Sequence, residues 1–182
     1  MQGKDGWYSL TLPATSGDRY QFVIGEHSVP DPASRFQPEG VHGASELVAP
    51  GYEWQARTWR GRPWEEAIVY ELHTGTFSPE GNFAAIQERL DYLADLGVTA
   101  LEIMPVAAFD GVRGWGYDGV LPYAPHAAYG DPHAFKQLVD AAHKRGLMVL
   151  LDVVYNHFGP SGNYLSLYAT SFFTDRHRTP WG

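Results

Sequence analysis

The sequence contains no cysteine among its 182 residues. Disulfides and thiolate metal sites are therefore excluded. Long apolar runs are missing as well, with nothing near the roughly 18 residues that a membrane-spanning helix needs. The opening residues, Met1 to Gly6, lead into no apolar segment of the kind a secretion signal carries. The expected compartment is the cytoplasm, and no membrane partner is expected. Basic residues are scarce: 13 Lys plus Arg stand against 21 Asp plus Glu, for a formal net charge of −8. A surface of that sign repels a phosphate backbone, so no nucleic-acid partner is expected.

What is present points to a packed protein. Hydrophobic residues make up 44% of the chain and aromatic residues 14%, too many for a disordered segment of this charge. The length allows one good-sized domain, or one domain and part of another. At the N-terminus Tyr8, Leu10 and Leu12 alternate, as do Tyr20, Phe22 and Ile24. Period-two alternation predicts two half-buried strands, with Ser16-Gly17-Asp18 as the turn of a hairpin between them. Two strands alone make no stable sheet. The hairpin, within residues 1–29, is thus expected either to pack on the rest of the chain or to be the end of a β-sandwich. Residues 30–66 carry five prolines and Trp54, Trp59 and Trp64 without clear periodicity. They read as a connector packed down by its tryptophans.

From Ile68 onward the texture alternates between strand and helix. Ile68 to His73 is a strand candidate. Asn82 is a candidate N-cap for a helix whose buried stripe is Phe83, Ile86, Leu90 and Leu93, and Gly97 ends it. Val98 to Val106 is the second strand. Asp131-Pro132 opens another helix, with Phe135, Leu138, Val139 and Ala142 on its apolar face. Lys144 and Arg145 occupy its last turn and Gly146 stops it. Leu147 to Val154 is almost uninterruptedly apolar, which predicts a strand buried on both faces of a parallel sheet. This order means an α/β fold with parallel strands over residues 67–182. If the sheet closes into a (β/α)8 TIM barrel, at about 250 residues and roughly 30 per unit, there is room here for the first three βα units only.

Gly114-Trp115-Gly116-Tyr117-Asp118-Gly119 fits the G-x-G-x-x-G dinucleotide pattern. Yet it stands well past the preceding strand, and Val120-Leu121-Pro122 does not start a helix, so no dinucleotide is expected. Trp115 and Tyr117 instead follow the end of a strand, where α/β folds build sites. Their rings either stack on a sugar, whose C–H faces are apolar, or simply pack the loop. Asp152, Asn156 and His157 emerge where the third strand ends. Asp152 points into the mouth of the sheet and needs a partner, because a buried lone carboxylate is costly. His157 can donate to a ligand oxygen, or cap a loop. The histidines at 126, 133, 143 and 157 lack metal-site spacing, and no G-x-S-x-G elbow occurs. Glu88, Asp91, Asp95 and Asp140 read as solvated charges on helix faces.

Asp152-Val-Val-Tyr-Asn156-His157 resembles the first signature region of the α-amylase superfamily, glycoside hydrolase family 13. Tyr70-Glu-Leu-His-Thr-Gly-Thr-Phe77, Glu102-Ile-Met-Pro105 and Trp115-Gly-Tyr-Asp-Gly119 support the likeness in the right order. Pro30-Asp-Pro-Ala-Ser-Arg35, Gly159-Pro-Ser-Gly-Asn-Tyr164 and Thr179-Pro-Trp-Gly182 resemble its trehalose-releasing branch. The resemblance implies a retaining attack on the α-1,4 bond of a malto-oligosyl-trehalose, with a malto-oligosaccharide or malto-oligosyl-trehalose as substrate partner. Retention uses two carboxylates about 5 Å apart. In this superfamily they follow the fourth and fifth strands, so no catalytic residue is expected in this chain and the chain alone is expected to be inactive. The resemblance makes Tyr117 a ring under the sugar, His157 a donor to the sugar and Asp152 a supporting carboxylate. Trp115 is a further candidate for the sugar, and Asn156 is structural. It implies no metal and no cofactor. Two alternatives stand: a piece of a branching or debranching enzyme, or a sugar-binding module without catalysis.

Overall fold

A computed structural model describes residues 2–4 and 6–177. The stretch Thr179 to Gly182 lies outside the described residues. The N-terminal strands pair differently from expectation. Strand β1 (Gln2–Lys4) pairs with β2 (Trp7–Ser9), and β4 (Phe22–Ile24) pairs with β5 (His27–Val29), both antiparallel. β3 (Arg19–Tyr20) pairs with β6 (Ser45–Glu46). The expected hairpin across residues 8–24 is absent, and Tyr8, Leu10 and Leu12 are all exposed. The turn at residues 15–18 does form, with Asp18 N–H on the Thr15 carbonyl at 3.1 Å. It docks on Leu47 through Gly17 N–H (2.8 Å) rather than joining strands. A two-residue turn at Gly25–Glu26 joins β4 to β5, since the nearest complementary segment closes the smallest loop, whereas β3 finds its partner about 25 residues on.

Residues 30–66 are held down, though mostly not by tryptophan. Trp59 stacks on His143 (4.9 Å, 16°), whereas Trp54 and Trp64 are exposed. The firmer anchor is Asp140, expected as a solvated charge and found buried. Its carboxylate accepts from Ala56 N–H (2.8 Å), Gln55 N–H (3.0 Å) and the Tyr52 hydroxyl (3.3 Å). Burial pushes its pKa up, but these donors and the Lys144 ammonium outweigh that and hold it below the usual carboxylate range. The connector lies across that face of the helix, so a charge that spacing assigns to solvent is enclosed. Upstream, Gln37 and Ser45 form a buried polar pair (2.6 Å), which ties Asp31 N–H and the Gly40 carbonyl together.

The centre is a parallel sheet of three strands, in the order β7 (Val69–Leu72), β8 (Ala100–Ile103), β11 (Met148–Leu151), and between the last two in sequence β9 (Ala107–Ala108) and β10 (Leu121–Pro125) form an antiparallel pair of their own. Val69 and Met148 both lie opposite Ala100. A single-turn helix α1 (Thr74–Phe77) follows β7. The next helix is broken at Glu88–Arg89 into α2 (Phe83–Gln87) and α3 (Leu90–Asp95), yet Phe83, Ile86, Leu90 and Leu93 all remain fully buried. Asn82 caps α2 through Ala85 N–H (3.0 Å). Asp131 caps α4 (Pro132–Lys144) through Ala134 N–H (2.7 Å), with Pro132 in the first turn. Those side chains, with Leu101, Ile103, Leu138 and Leu147, form the core between sheet and helices. Each such burial contributes about 1.5–3 kcal/mol.

β11 does not meet the expectation of burial on both faces. Met148 to Leu150 are half-buried and Leu151 is 42% exposed. Helix α4 packs on β11 from one side, and β8 borders one edge. Helix α5 (Leu165–Tyr168) returns to the N-terminal region, where the Tyr168 hydroxyl donates to the Pro30 carbonyl (2.5 Å).

Candidate functional site

The carboxyl ends of β8 and β11 open on one cleft, with a volume of about 40 Å³, lined by Pro105, Gly116, Pro122, Asp152, Tyr155 and Phe158 among others. Asp152 enters it by continuing the ladder one rung past β11, its N–H donating to the Ile103 carbonyl (2.9 Å). The alternation then persists without pairing: Asp152 and Val154 are half-buried, Val153 and Tyr155 exposed. Among the described residues the Asp152 carboxylate has no hydrogen-bond partner. A wider, open groove of about 540 Å³ lies elsewhere, between Tyr52, Glu53 and Gln55 of the connector and His133 and Gln137 of α4. Ligands in α/β folds collect at strand carboxyl ends, so the smaller cleft is the candidate site.

The glycine-rich loop forms the cleft's upper wall. Gly116 has φ +92°, and a Cβ there would overlap the Pro105 carbonyl oxygen. Gly119 abuts Ala107 in the same way. The glycines thus serve close packing of the loop on the end of β8, and the chain runs on into β10 rather than a helix. This geometry accounts for the pattern without a dinucleotide. Between the glycines, Trp115 is 63% and Tyr117 43% exposed.

His157 reaches this loop from the segment after β11. Its Nε2 lies 2.9 Å from the Tyr117 carbonyl, and Nδ1 lies 2.7 Å from the Asn156 amide nitrogen. A carbonyl only accepts, so Nε2 carries the proton and Nδ1 accepts from Asn156. Asn156 therefore sets the tautomer of His157, and His157 holds the backbone of Tyr117. The structure brings Tyr117, Asn156 and His157 together, with Asp152 on the neighbouring wall, and Trp115 stands on the loop's far end.

Two groups that the sequence does not single out complete the loop's support. His73, at the end of β7, places Nε2 2.8 Å from the Gly114 carbonyl and its ring 5.0 Å from that of Trp115. The Tyr129 hydroxyl donates to the same carbonyl at 3.2 Å. Burial raises the Tyr129 pKa, which keeps that proton in place. The signal available in the sequence was a polar residue at a strand's carboxyl end, the same signal that marked Asp152. His126, stacked on Phe109 at 3.8 Å, is buried, and desolvation pulls its pKa down to about 4. Among the described residues, no three His, Asp or Glu gather as a metal centre.

Residues 34–176 match the alpha amylase catalytic domain family. The chain belongs to the alpha-amylase family. Within it, the chain is similar to the malto-oligosyltrehalose trehalohydrolase of Deinococcus radiodurans, at 56% identity over 178 residues, 97% of this chain and 30% of that protein. The Saccharolobus solfataricus protein of the same name is 50% identical over 179 residues, covering 97% and 32%. A 1,4-alpha-glucan branching enzyme of Streptomyces coelicolor is 39% identical over 171 residues, covering 86% and 23%. Among solved structures, one from Salmonella typhimurium described as an alpha amylase superposes with a TM-score of 0.95 at 56% identity, covering all of this chain and 32% of the other. The chain spans about a third of the length of the curated relatives it matches.

Proposed function

We propose that the chain supplies one wall of the substrate cleft of a retaining α-glucan hydrolase that cleaves the α-1,4 bond of malto-oligosyl-trehalose and releases trehalose. In this reading β7, β8 and β11, with their helices, are the first three units of a (β/α)8 barrel. Residues 1–29 are the end of an N-terminal β-sandwich and 30–66 the connector. The observation that carries the reading is the exposed Trp115–Tyr117 loop pinned beside Asp152 at the carboxyl ends of parallel strands, in a chain 56% identical to a trehalohydrolase.

The chemistry follows from the side chains. The Tyr117 ring offers an apolar face to the C–H groups of a glucose ring, and Trp115, at the loop's far end beside His73, offers a second one. A sugar hydroxyl competes with the Tyr117 carbonyl for the His157 Nε2 proton, so His157 exchanges a backbone bond for a bond to substrate. Asp152 accepts from a donor on the facing part of the site. Retaining hydrolysis needs a nucleophile and an acid/base about 5 Å apart, and Asp152 is the one carboxylate lining this cleft among the described residues. The 182-residue chain by itself is then inactive.

The branching-enzyme relative supports a second reading, weaker because its identity is lower than that of the trehalohydrolases. Assay of the intact protein on malto-oligosyl-trehalose separates the two. Release of trehalose is expected, and new α-1,6 branches without trehalose would overturn the hydrolase reading. Binding of maltotetraose by an intact protein that cleaves nothing would identify a sugar-binding module instead.

A further inference from the structure

The loop that carries Trp115 and Tyr117 is held at both ends by histidines from the segments that follow two different strands. At one end His157 Nε2 donates to the Tyr117 carbonyl at 2.9 Å. At the other, His73 Nε2 faces the Gly114 carbonyl at 2.8 Å. That nitrogen must carry the proton, which leaves Nδ1 to accept from the Thr76 hydroxyl at 3.2 Å. The Tyr129 hydroxyl joins the grip, donating to the Gly114 carbonyl, with its oxygen 3.2 Å from His73 Nε2. Tyr129 itself is buried, with its ring against those of Phe83, Phe109 and His126. Gly75 is small for the same purpose, since a Cβ there would press on the rings of His73 and Tyr129. None of these contacts is needed to hold β7 in the sheet, which is paired by its own ladder to β8.

We propose that His73 is a positioning residue: with the Tyr129 hydroxyl it grips the Gly114 carbonyl and presets the Trp115–Tyr117 loop for an α-glucan chain. This role rests on the sugar-cleft reading above. It implies that glucan affinity depends on a side chain one shell behind the aromatic wall, because a loop ordered in advance does not have to be ordered on binding.

The test uses the intact protein with 5-fluorotryptophan incorporated, the Trp115 resonance being the one lost in Trp115→Phe. Maltotetraose is the probe ligand. In His73→Ala the Trp115 signal shifts or broadens while the remaining tryptophan signals stay in place, and maltotetraose affinity falls about tenfold. His73→Gln, whose amide N–H can reach the Gly114 carbonyl, restores most of both. Tyr129→Phe keeps the ring and moves the signal the same way by less, and it carries the test alone should His73→Ala fail to fold. An unmoved Trp115 signal in these variants overturns the proposal. So does failure of His73→Gln to rescue, which would assign the effect to ring packing. A Trp115 signal moved in His73→Ala and in Tyr129→Phe and restored in His73→Gln, in a protein whose unsubstituted form binds no maltotetraose, upholds the grip and overturns the sugar reading.

Discussion

Substitution of Asp140 tests whether one carboxylate fastens residues 52–56 to helix α4. The residue is 2% exposed, and its carboxylate accepts from Ala56 N–H at 2.8 Å, from Gln55 N–H at 3.0 Å and from the Tyr52 hydroxyl at 3.3 Å. A hydrogen bond to a charged group contributes about 1.5–3 kcal/mol. Two short amide bonds would then sum to about 3–6 kcal/mol. The covering layer is thin, however: Gln55 is exposed and Ala56 half-buried, so both amides recover water when the carboxylate is removed. The lower part of the range applies, and Asp140→Ala should cost about 3 kcal/mol. For a chain of this size that lowers the melting temperature by about 6–12 °C. Asp140→Asn keeps an acceptor but not the charge and should cost about half as much. The folded-state pKa lies below that of the unfolded carboxyl. The stabilisation is therefore complete above about pH 4 and is lost as pH falls through the depressed folded value. Thermal melts at pH 7 and in acid, on wild type and both variants, measure all of this. A change within 0.5 kcal/mol for Asp140→Ala (about the scatter of a surface substitution) would refute the anchoring.

Other consequences are equally direct. Gly116→Ala places a Cβ against the Pro105 carbonyl at φ +92° and should cost about 2–4 kcal/mol, read as a lower urea midpoint. His126 has its folded pKa pulled down to about 4 by burial, so the unfolded state takes up the proton first. Stability should fall as pH drops from about 6.5 towards 4, by up to about 3 kcal/mol. His126→Phe should flatten that slope, and an unchanged slope would show that the stack on Phe109 does not exclude the proton. Tyr117→Ala should weaken maltotetraose binding about tenfold or more while leaving the melting temperature within a few degrees, since the residue is 43% exposed and stands outside the hydrophobic core.

Local signals carried far into this fold. Asn82 and Asp131 cap the helices they were expected to cap, and the stripe Phe83, Ile86, Leu90, Leu93 is buried even though its helix breaks after Gln87. These features depend on residues within a few positions of one another, so spacing suffices to read them. At the N-terminus the apolar alternation of Tyr8, Leu10 and Leu12 points to a hairpin that does not form. Alternation reports a face without saying what covers it.

The sequence by itself determined the α/β order, the glycine-rich loop and the identities of the side chains that end β11. Its motifs sufficed to place the chain in a family, because those motifs are contiguous. Only the tertiary structure decided that Asp140 lies beneath the connector, that His157 spends its proton on the Tyr117 backbone and that His73 and Tyr129 share the Gly114 carbonyl. Each of these bonds joins residues 15 to 85 positions apart. No periodicity encodes such a meeting. It arises when packing of the sheet and its helices brings the strand ends together, and the polar groups left there must find partners in place of water.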